Sequence, residues 1–309
     1  MSVEQVIAQV QAVYGSWGRQ TTVEKMRSDW DRLFGVPVPD GAMQRVSAGG
    51  VPAAWISAVG ADADKVLVYF HGGGFQVGSI HSHFDLMYRL SAAARCRVLA
   101  VSYRLAPEHR FPAALDDALR AYEWLLGQGT AADCTALAGD SAGGGLVLSL
   151  LLQLRDAGLP MPASAAVMSA WTDMTANGES YVSRADSDPI HQRRMILAMA
   201  ANYLGEHDAA DPRVSPLHGN LSDLPPLLLQ VGDRETVLDD SRLFAQKAKA
   251  AGVAVELQVY DGMIHVFQQF PQQLQQALDA ISEIGRHLST HWPSCPASYT
   301  SQTQEDLRS

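Results

Sequence analysis

The residues most suited to chemistry are a serine and its neighbours in the pentapeptide Gly-Asp-Ser-Ala-Gly at residues 139–143. This G-x-S-x-G segment follows a predicted strand and opens a predicted helix, which is the sequence context of a nucleophilic serine held on a sharp turn. The flanking glycines let the backbone turn tightly. A Gly-rich strand–helix turn without chemistry is the alternative, but the context favours Ser141 as a nucleophile whose hydroxyl projects above the strand ends.

A second glycine-rich segment reads His-Gly-Gly-Gly-Phe at residues 71–75, directly after a predicted strand at residues 65–70. Acyl transfer needs backbone N–H groups aimed at a developing oxyanion, and glycines let the backbone approach a ligand closely. A flexible turn and a phosphate-binding loop are the alternatives. A Walker loop is excluded because no Gly-Lys-Ser/Thr follows. We expect His71 to orient this loop rather than to carry protons.

His265 lies just past the last predicted strand, where the histidine arrives in the chain order Ser–acid–His. Such a histidine needs a carboxylate at its second ring nitrogen, to fix its tautomer and stabilise its charged form. The loop after the predicted strand at residues 226–232 offers four candidates, namely Asp233, Glu235, Asp239 and Asp240. Asp240 stands where a helix N-cap is expected, so it has a structural use. The residues alone leave the acid open.

Short apolar runs alternate with helical stretches along most of the chain, which predicts an α/β fold with a mostly parallel sheet. Several of the runs are almost continuously apolar, as strands buried on both faces are. Strands are predicted at residues 53–57, 65–70, 97–102, 135–139, 163–169, 226–232 and 253–260. The helical stretches include residues 112–127, with one apolar stripe, and residues 143–154, which are apolar nearly all round.

Two regions depart from this alternation. Residues 1–45 are predicted to be helical because Val3, Val6, Ile7 and Val10 recur at helical spacing. Residues 171–221 are rich in Asp, Ser, His and Arg, with a helical piece near residues 193–203. We expect residues 1–45 and an insertion at about 175–215 to form a helical cap on a catalytic domain spanning residues 46–292. Residues 293–309 are polar without a period, which predicts a disordered tail.

Composition excludes several classes of function. The chain has 309 residues, 47% of them hydrophobic, and its 23 basic and 33 acidic residues give a net charge of −10. A large core is therefore possible, whereas binding to nucleic acid or to an anionic membrane is disfavoured. No apolar stretch is long enough to span a membrane, and the N-terminus lacks the features of a secretory signal.

The cysteines and histidines point to a cytoplasmic protein without a metal or another cofactor. Cys96, Cys134 and Cys295 are odd in number and far apart, which suits a reducing cytosol and argues against a disulfide scaffold or a zinc ribbon. His81 and His83 could form a metal pair, but no further ligands accompany them at ligand spacing. We therefore expect neither a metal site nor a cofactor.

Taken together, the motifs resemble those of the hormone-sensitive-lipase family of α/β-hydrolases, in its bacterial esterase branch. The two glycine-rich segments match family signatures, and Tyr-Arg-Leu-Ala-Pro-Glu-His at residues 103–109 matches a third. The segments at residues 111–114, 169–173 and 211–216 are also similar to the family pattern. The resemblance runs from about residue 60 to residue 290 and implies the α/β-hydrolase fold with a helical cap.

The resemblance also implies roles for individual residues. The family usually places an Asp where this chain has Glu235, so Glu235 is the expected acid, with Asp233 and Asp239 as alternatives. The 30 residues from Glu235 to His265 fit that alignment without a gap. By the same analogy, the backbone N–H groups of Gly73, Gly74 and Ala142 form the oxyanion hole. The cap would line the substrate pockets, with Trp17, Phe34 and Tyr203 as candidate wall residues.

The function that follows is a serine carboxylic-ester hydrolase acting on small, uncharged esters with short or medium acyl chains, through an acyl-enzyme. Hydrolysis of lactones by the same triad is a close alternative, and amide deacetylation is a weaker one. A different class is a non-catalytic receptor, because plant gibberellin receptors are similar to this family but lack a working triad histidine. Analogy with the family also suggests a homodimer.

Overall fold

The structure is a computed structural model that describes residues 2–18, 20–293 and 295. These residues form an eight-stranded sheet in the order β1-β2-β4-β3-β5-β6-β7-β8, in which β1, β2 and β4 pair antiparallel and all other pairs are parallel. The strands are β1 Met43–Ala48, β2 Val51–Ile56, β3 Asp62–Phe70, β4 Cys96–Val101, β5 Thr135–Asp140, β6 Ser164–Met168, β7 Leu227–Gly232 and β8 Val255–Tyr260.

Helices connect the strands and precede the sheet. They are α1 Val3–Tyr14, α2 Val23–Phe34, α3 Phe84–Ala94, α4 Ala113–Gly127, α5 Ala142–Asp156, α6 Ser180–Ser183, α7 Arg193–Leu204, α8 Leu238–Ala250 and α9 Gln275–His291. None of the helices in this described part of the chain combines the length and hydropathy needed to cross a bilayer.

The central strands are buried on both faces because helices cover the sheet on each side. Along β3, Val68 and Phe70 belong to one core cluster, whereas Leu67 and Tyr69 belong to the other. This two-residue alternation is the pleat of a strand, and it explains why the run is apolar without interruption. Helices α4, α5 and α8 contribute to the first cluster, and α3 and α9 contribute to the second. The α/β fold with a mostly parallel sheet is confirmed.

Every predicted strand is present, with ends shifted by at most three residues, but one strand was missed. Strand β1 begins at Met43, two residues before the predicted end of the N-terminal helical region. Its sequence, Met-Gln-Arg-Val-Ser-Ala, pairs only with β2 at the edge of the sheet, and most of its residues are exposed or half-buried. An edge strand of this kind carries no continuous apolar run for sequence analysis to detect.

The helices expected to form a cap contact the elements that carry the candidate site. Val6 and Val10 of α1 pack in one apolar cluster with Ile264 and Phe267, which flank His265. Helix α7 lies in the segment between β6 and β7, with Ile196 buried in the main core.

The cysteines correct an expectation drawn from the sequence. Cys134 and Cys295 form a disulfide with their Cα atoms 5.8 Å apart, and Cys96 is a buried free thiol. The paired cysteines are separated by 161 positions in the sequence, and they meet in space because the chain after α9 returns to the start of β5. The cysteines therefore do not favour a reducing compartment. Of the predicted disordered tail, all but residues 293 and 295 lie outside the described residues.

Candidate active site

Ser141 lies on the sharp turn between β5 and α5. Its φ of 52° and ψ of −121° are strained for a residue with a side chain. Its backbone N–H donates to the carbonyl of Met168 at 2.8 Å, which fixes the turn against β6. Gly143 must lack a side chain, because a Cβ there would lie 2.0 Å from the carbonyl oxygen of Phe70. The two features hold the Ser141 hydroxyl above the carboxyl ends of the parallel strands.

A chain of hydrogen bonds joins three of the predicted site residues. The Ser141 hydroxyl donates to His265 Nε2 at 2.9 Å, and His265 Nδ1 donates to Glu235 Oε2 at 2.7 Å. Glu235 is fully buried and His265 is nearly so. Burial alone would lower the pKa of His265, but the adjacent Glu235 carboxylate outweighs it and holds that pKa above its ordinary value. The arrangement can activate a hydroxyl for nucleophilic attack.

Glu235 is held in place through its second oxygen. Oε1 accepts from the backbone N–H of Gly232 at 2.5 Å and from the Ser169 hydroxyl at 2.8 Å. The oxygen of Ser169 in turn accepts from the backbone N–H of Val266 at 3.0 Å. Ser169 therefore connects the acid to the residue that follows His265. Sequence reasoning assigned Ser169 to a family-like segment but gave it no role at the site.

The other carboxylates of the same loop are engaged elsewhere. Asp233 Oδ1 accepts from the backbone N–H of Gly262 at 2.7 Å, and Asp239 Oδ2 accepts from that of Ser180 at 2.8 Å. Asp240 lies inside α8 rather than at its N-cap, so its expected capping use is wrong. It instead accepts from the backbone N–H groups of residues 172 and 173 after β6, at 2.7 and 2.9 Å.

The glycine-rich segment after β3 lies beside the serine. Gly73 and Gly74 border the same cavity as Ser141 and have φ angles of 115° and 60°, which glycine adopts without strain. Ala142 is the first residue of α5, where backbone N–H groups lack partners within the helix. Among the described residues, no hydrogen bond uses the N–H groups of these three residues. They are therefore free to bind an anion.

Buried polar residues beneath this segment fix its shape. Asp140 Oδ1 accepts from the backbone N–H of Gly72 at 3.0 Å and from the Tyr69 hydroxyl at 2.6 Å, while His83 Nε2 lies 3.3 Å from Asp140 Oδ2. Burial would raise the pKa of Asp140, but His83 and the Tyr69 hydroxyl together hold that pKa below its usual value. Asp140 thereby links the serine turn to the glycine segment.

His71 faces away from the cavity. Its Nδ1 donates to the carbonyl of Gly72 at 2.8 Å, and its ring stacks on Tyr103 with centroids 4.5 Å apart. The Tyr103 hydroxyl donates to the carbonyl of His71 at 2.6 Å. Burial, reinforced by His83, lowers the pKa of His71 to about 4. A neutral, stacked ring is suited to orienting the segment.

A cavity of about 560 Å³ opens above Ser141 and His265. Its walls are mostly apolar and come from α1, α2, α7 and the residues after His265. Trp17 and Phe34 line it as expected. Tyr203 does not, because it is buried behind the wall and stacks on Phe75 with centroids 3.9 Å apart. No group of three His, Cys, Asp or Glu residues within the described ranges is arranged to hold a metal ion.

The fold and the site together match known proteins. A family described as having the alpha/beta hydrolase fold matches residues 67–269. An acetyl-hydrolase from Streptomyces hygroscopicus is 40% identical over 88% of this chain and 91% of its own length. An esterase from Acinetobacter venetianus is 37% identical over 72% of this chain and 74% of its own length.

A crystal structure of an esterase from the bacterial hormone-sensitive-lipase family superposes with a TM-score of 0.90. The two sequences are 42% identical, and the match covers 94% of this chain and 98% of that one. The chain therefore belongs to the bacterial hormone-sensitive-lipase family of α/β-hydrolases and is a carboxylesterase.

Proposed function

We propose that this esterase hydrolyses small, uncharged esters with short or medium acyl chains, using Ser141, His265 and Glu235 as its catalytic triad. The observation that carries the proposal is the unbroken chain of hydrogen bonds from the buried Glu235 through His265 to Ser141. Ser141 and His265 border the cavity. The engagement of Asp233 and Asp239 with other segments supports Glu235 as the acid.

In the first half of the reaction, His265 Nε2 takes the proton of the Ser141 hydroxyl while its oxygen attacks the ester carbonyl. The negative charge moves to the carbonyl oxygen, which the N–H groups of Gly73, Gly74 and Ala142 bind. Glu235 stabilises the positive charge that forms on His265. The proton of His265 then passes to the oxygen of the departing alcohol, and the acyl group stays on Ser141.

In the second half, water replaces the alcohol. His265 takes a proton from water as its oxygen attacks the acyl-enzyme, and the collapse of the second tetrahedral species returns that proton to Ser141. The carboxylic acid then leaves. Each oxyanion donor contributes on the order of a hundred-fold or more to the rate of such reactions.

The cavity supports the choice of substrate. Its apolar lining, contributed in part by Trp17, Trp30, Phe34 and Met199, favours uncharged groups. We propose that α1, α2 and the segment carrying α7 act together as the cap that forms these walls. The name of the Streptomyces acetyl-hydrolase supports a short acyl group.

The test is hydrolysis of p-nitrophenyl esters from acetate to palmitate by the protein and by Ser141→Ala. We expect turnover to be highest at short or medium chains and to fall by several orders of magnitude in the variant. A melting temperature of Ser141→Ala equal to that of the wild-type protein serves as the control for folding. Turnover that is equal in the variant would overturn the triad, and a rate that peaks at palmitate would overturn the substrate class.

A further inference from the structure

His191 lies against the candidate catalytic histidine and has no place in the mechanism above. Its ring meets the ring of His265 edge to face, with centroids 4.3 Å apart and planes 82° apart. It lines the same cavity as Ser141, and only 6% of its surface is exposed. The side chain therefore stands beside the reacting groups in an otherwise mostly apolar wall.

Hydrogen bonds fix the segment that carries His191. Asp188 Oδ1 accepts from the backbone N–H groups of Ile190 and His191, each at 2.9 Å. Asp188 Oδ2 accepts from the backbone N–H of Thr236 at 2.8 Å and from its hydroxyl at 3.0 Å. Since Thr236 follows Glu235, the segment is tied to the acid loop. The position of His191 relative to the triad is thus set by the fold rather than by a surface loop.

The two ring nitrogens of His191 differ in their surroundings. Nδ1 is sealed from solvent and has no hydrogen-bond partner within the described part of the chain. Nε2 does not combine these two properties. The described residues form no hydrogen bond to Nε2 either, so Nε2 is the ring nitrogen that meets the cavity. A buried N–H without an acceptor is more costly than an unpaired lone pair. The ring proton is therefore placed on Nε2, as a donor.

The ring stays neutral under working conditions. Burial, reinforced by the neighbouring His265, lowers the pKa of His191 to about 3. The group that faces the cavity is thus an uncharged N–H, which binds an uncharged acceptor and does not attract a carboxylate as a cation would. Two other polar residues of the wall are already engaged, since Asn202 donates to Gln76 at 2.9 Å and Gln11 donates to the carbonyl of Pro189 at 3.4 Å. The side-chain nitrogens of Gln269 and Trp30, which also line the cavity, have no partner in the described part of the chain but are sealed from solvent.

The mechanism indicates which part of the substrate lies next to His191. Because His265 Nε2 must protonate the departing alcohol, the alcohol oxygen has to come within about 2.6–3.2 Å of it. The atoms that follow this oxygen then pass close to the His191 ring, which meets His265 edge to face. The acyl chain, by contrast, extends from a carbonyl carbon bonded to Ser141.

We propose that His191 is a specificity-determining residue whose Nε2–H binds an oxygen in the alcohol portion of the ester, so that the enzyme favours esters of alcohols with an ether or hydroxyl oxygen near the ester bond. This inference rests on the proposed function and names its substrate class more closely. One neutral hydrogen bond contributes about 1 kcal/mol, which corresponds to roughly a fivefold change in kcat/KM.

The test compares two esters that differ at one position of the alcohol. That position is a CH₂ group in pentyl acetate and an ether oxygen in 2-ethoxyethyl acetate. The ratio of their kcat/KM values is measured by acid release for the protein and for His191→Phe and His191→Gln. We expect His191→Phe to shift the ratio toward pentyl acetate about fivefold, and His191→Gln, which keeps a donor, to shift it less. Met195 also lines the cavity. Met195→Leu changes this apolar wall without removing a hydrogen-bond donor and should leave the ratio of the two kcat/KM values unchanged.

A second pair of esters locates the donor. Ethyl hexanoate and ethyl 4-methoxybutanoate differ in the same way on the acyl side, and their ratio should not respond to His191→Phe. A shift confined to the acyl pair, or no shift in either pair while both esters are hydrolysed, would overturn the assignment of His191. If the wild-type protein hydrolyses none of the four esters, the proposed function itself fails and this inference fails with it.

Discussion

Glu235 Oε2 and His265 Nδ1 lie 2.7 Å apart, and the carboxylate is fixed from behind by two further hydrogen bonds. Glutamate is one methylene longer than the aspartate that the family usually has at this position. Its extra reach is accommodated because its second oxygen is held by Gly232 and Ser169. The carboxylate that we propose as the triad acid is therefore held at both of its oxygens.

The acid assignment predicts unequal effects of two neighbouring substitutions. Glu235→Gln keeps the shape of the side chain but removes the charge and favours the wrong tautomer of His265, so kcat should fall by on the order of 10⁴. Asp233→Asn should change kcat by no more than a few-fold, since Asp233 binds a backbone N–H of the next loop. Steady-state kinetics on one p-nitrophenyl ester measures both. The reverse order of effects would contradict the assignment.

The pH dependence of kcat/KM follows from the raised pKa of His265. In the proposed mechanism the neutral ring is the base, so we expect activity above that pKa and its loss as the pH falls through it. Because the Glu235 carboxylate is what raises the pKa, Glu235→Gln should move the acidic limb to lower pH. A limb that stays in place or moves to higher pH would show that another group titrates there.

Ser169 should affect the rate through the residues that it positions. Ser169→Ala removes the hydroxyl that joins Glu235 to the backbone after His265, and a small misplacement of such groups can lower kcat by about a hundred-fold. Ser164→Ala is the matched control, because the Ser164 hydroxyl is also buried but has no partner among the described residues.

The two serine variants are compared by kcat and by melting temperature. We expect Ser164→Ala to retain wild-type kcat and to be as stable as the wild type or more so, since it removes an unsatisfied polar group. Ser169→Ala should lose rate beyond any loss of stability. Equal rates in the two variants would mean that Ser169 does not position the triad.

Arg27 of α2 should stabilise the position of the glycine-rich segment, whose Gly73 and Gly74 are the proposed oxyanion donors. Its guanidinium donates to the carbonyls of Gln76 and Ala106, at 2.8 and 3.0 Å, and to both oxygens of Glu108 at 2.8 Å. Arg27→Gln loosens the chain next to Gly73 and Gly74, so we expect kcat to fall about tenfold or more.

Arg32→Gln is the control for this substitution. Arg32 is on the same helix and pairs with Asp29 at 3.4 Å, but its side chain is largely exposed, and exposed ion pairs contribute little to stability. We expect its kcat to stay within twofold of the wild type. The affinity for a trifluoromethyl ketone, which forms an oxyanion on Ser141, should fall in Arg27→Gln only. Unchanged affinity in that variant would limit Arg27 to a structural role.

Local sequence determined much of what could be predicted. The turn around Ser141 and the glycine segment after β3 each depend on contiguous residues, so the identities of those residues specify the backbone conformation. The strands of the sheet interior were recognisable because burial on both faces requires an apolar residue at every position. These features made the fold class accessible and pointed to Ser141, and the position after the last strand pointed to His265, whereas Glu235 was chosen from four carboxylates only by resemblance to the family. The structure brings these three residues together.

The remaining features depend on segments that meet only in the folded chain. Ser169 joins Glu235 to Val266 across three loops, and no spacing in the sequence reports that. His191 follows an unremarkable stretch of the insertion, and its meaning comes from its closeness to His265. The same holds for the pairing of Cys134 with Cys295. Tyr203 was misplaced because helical periodicity does not tell the side facing a cavity from the side facing the core.

The most direct test of the central claim is covalent labelling of the nucleophile. The protein is treated with one equivalent of a p-nitrophenyl alkylphosphonate, which transfers its phosphonyl group to an activated serine, and the intact mass and a peptide digest are measured. We predict one phosphonyl group per chain, located on Ser141, with labelling strongly slowed in His265→Ala and absent in Ser141→Ala. Label on another residue, or equal labelling of Ser141→Ala, would contradict the account.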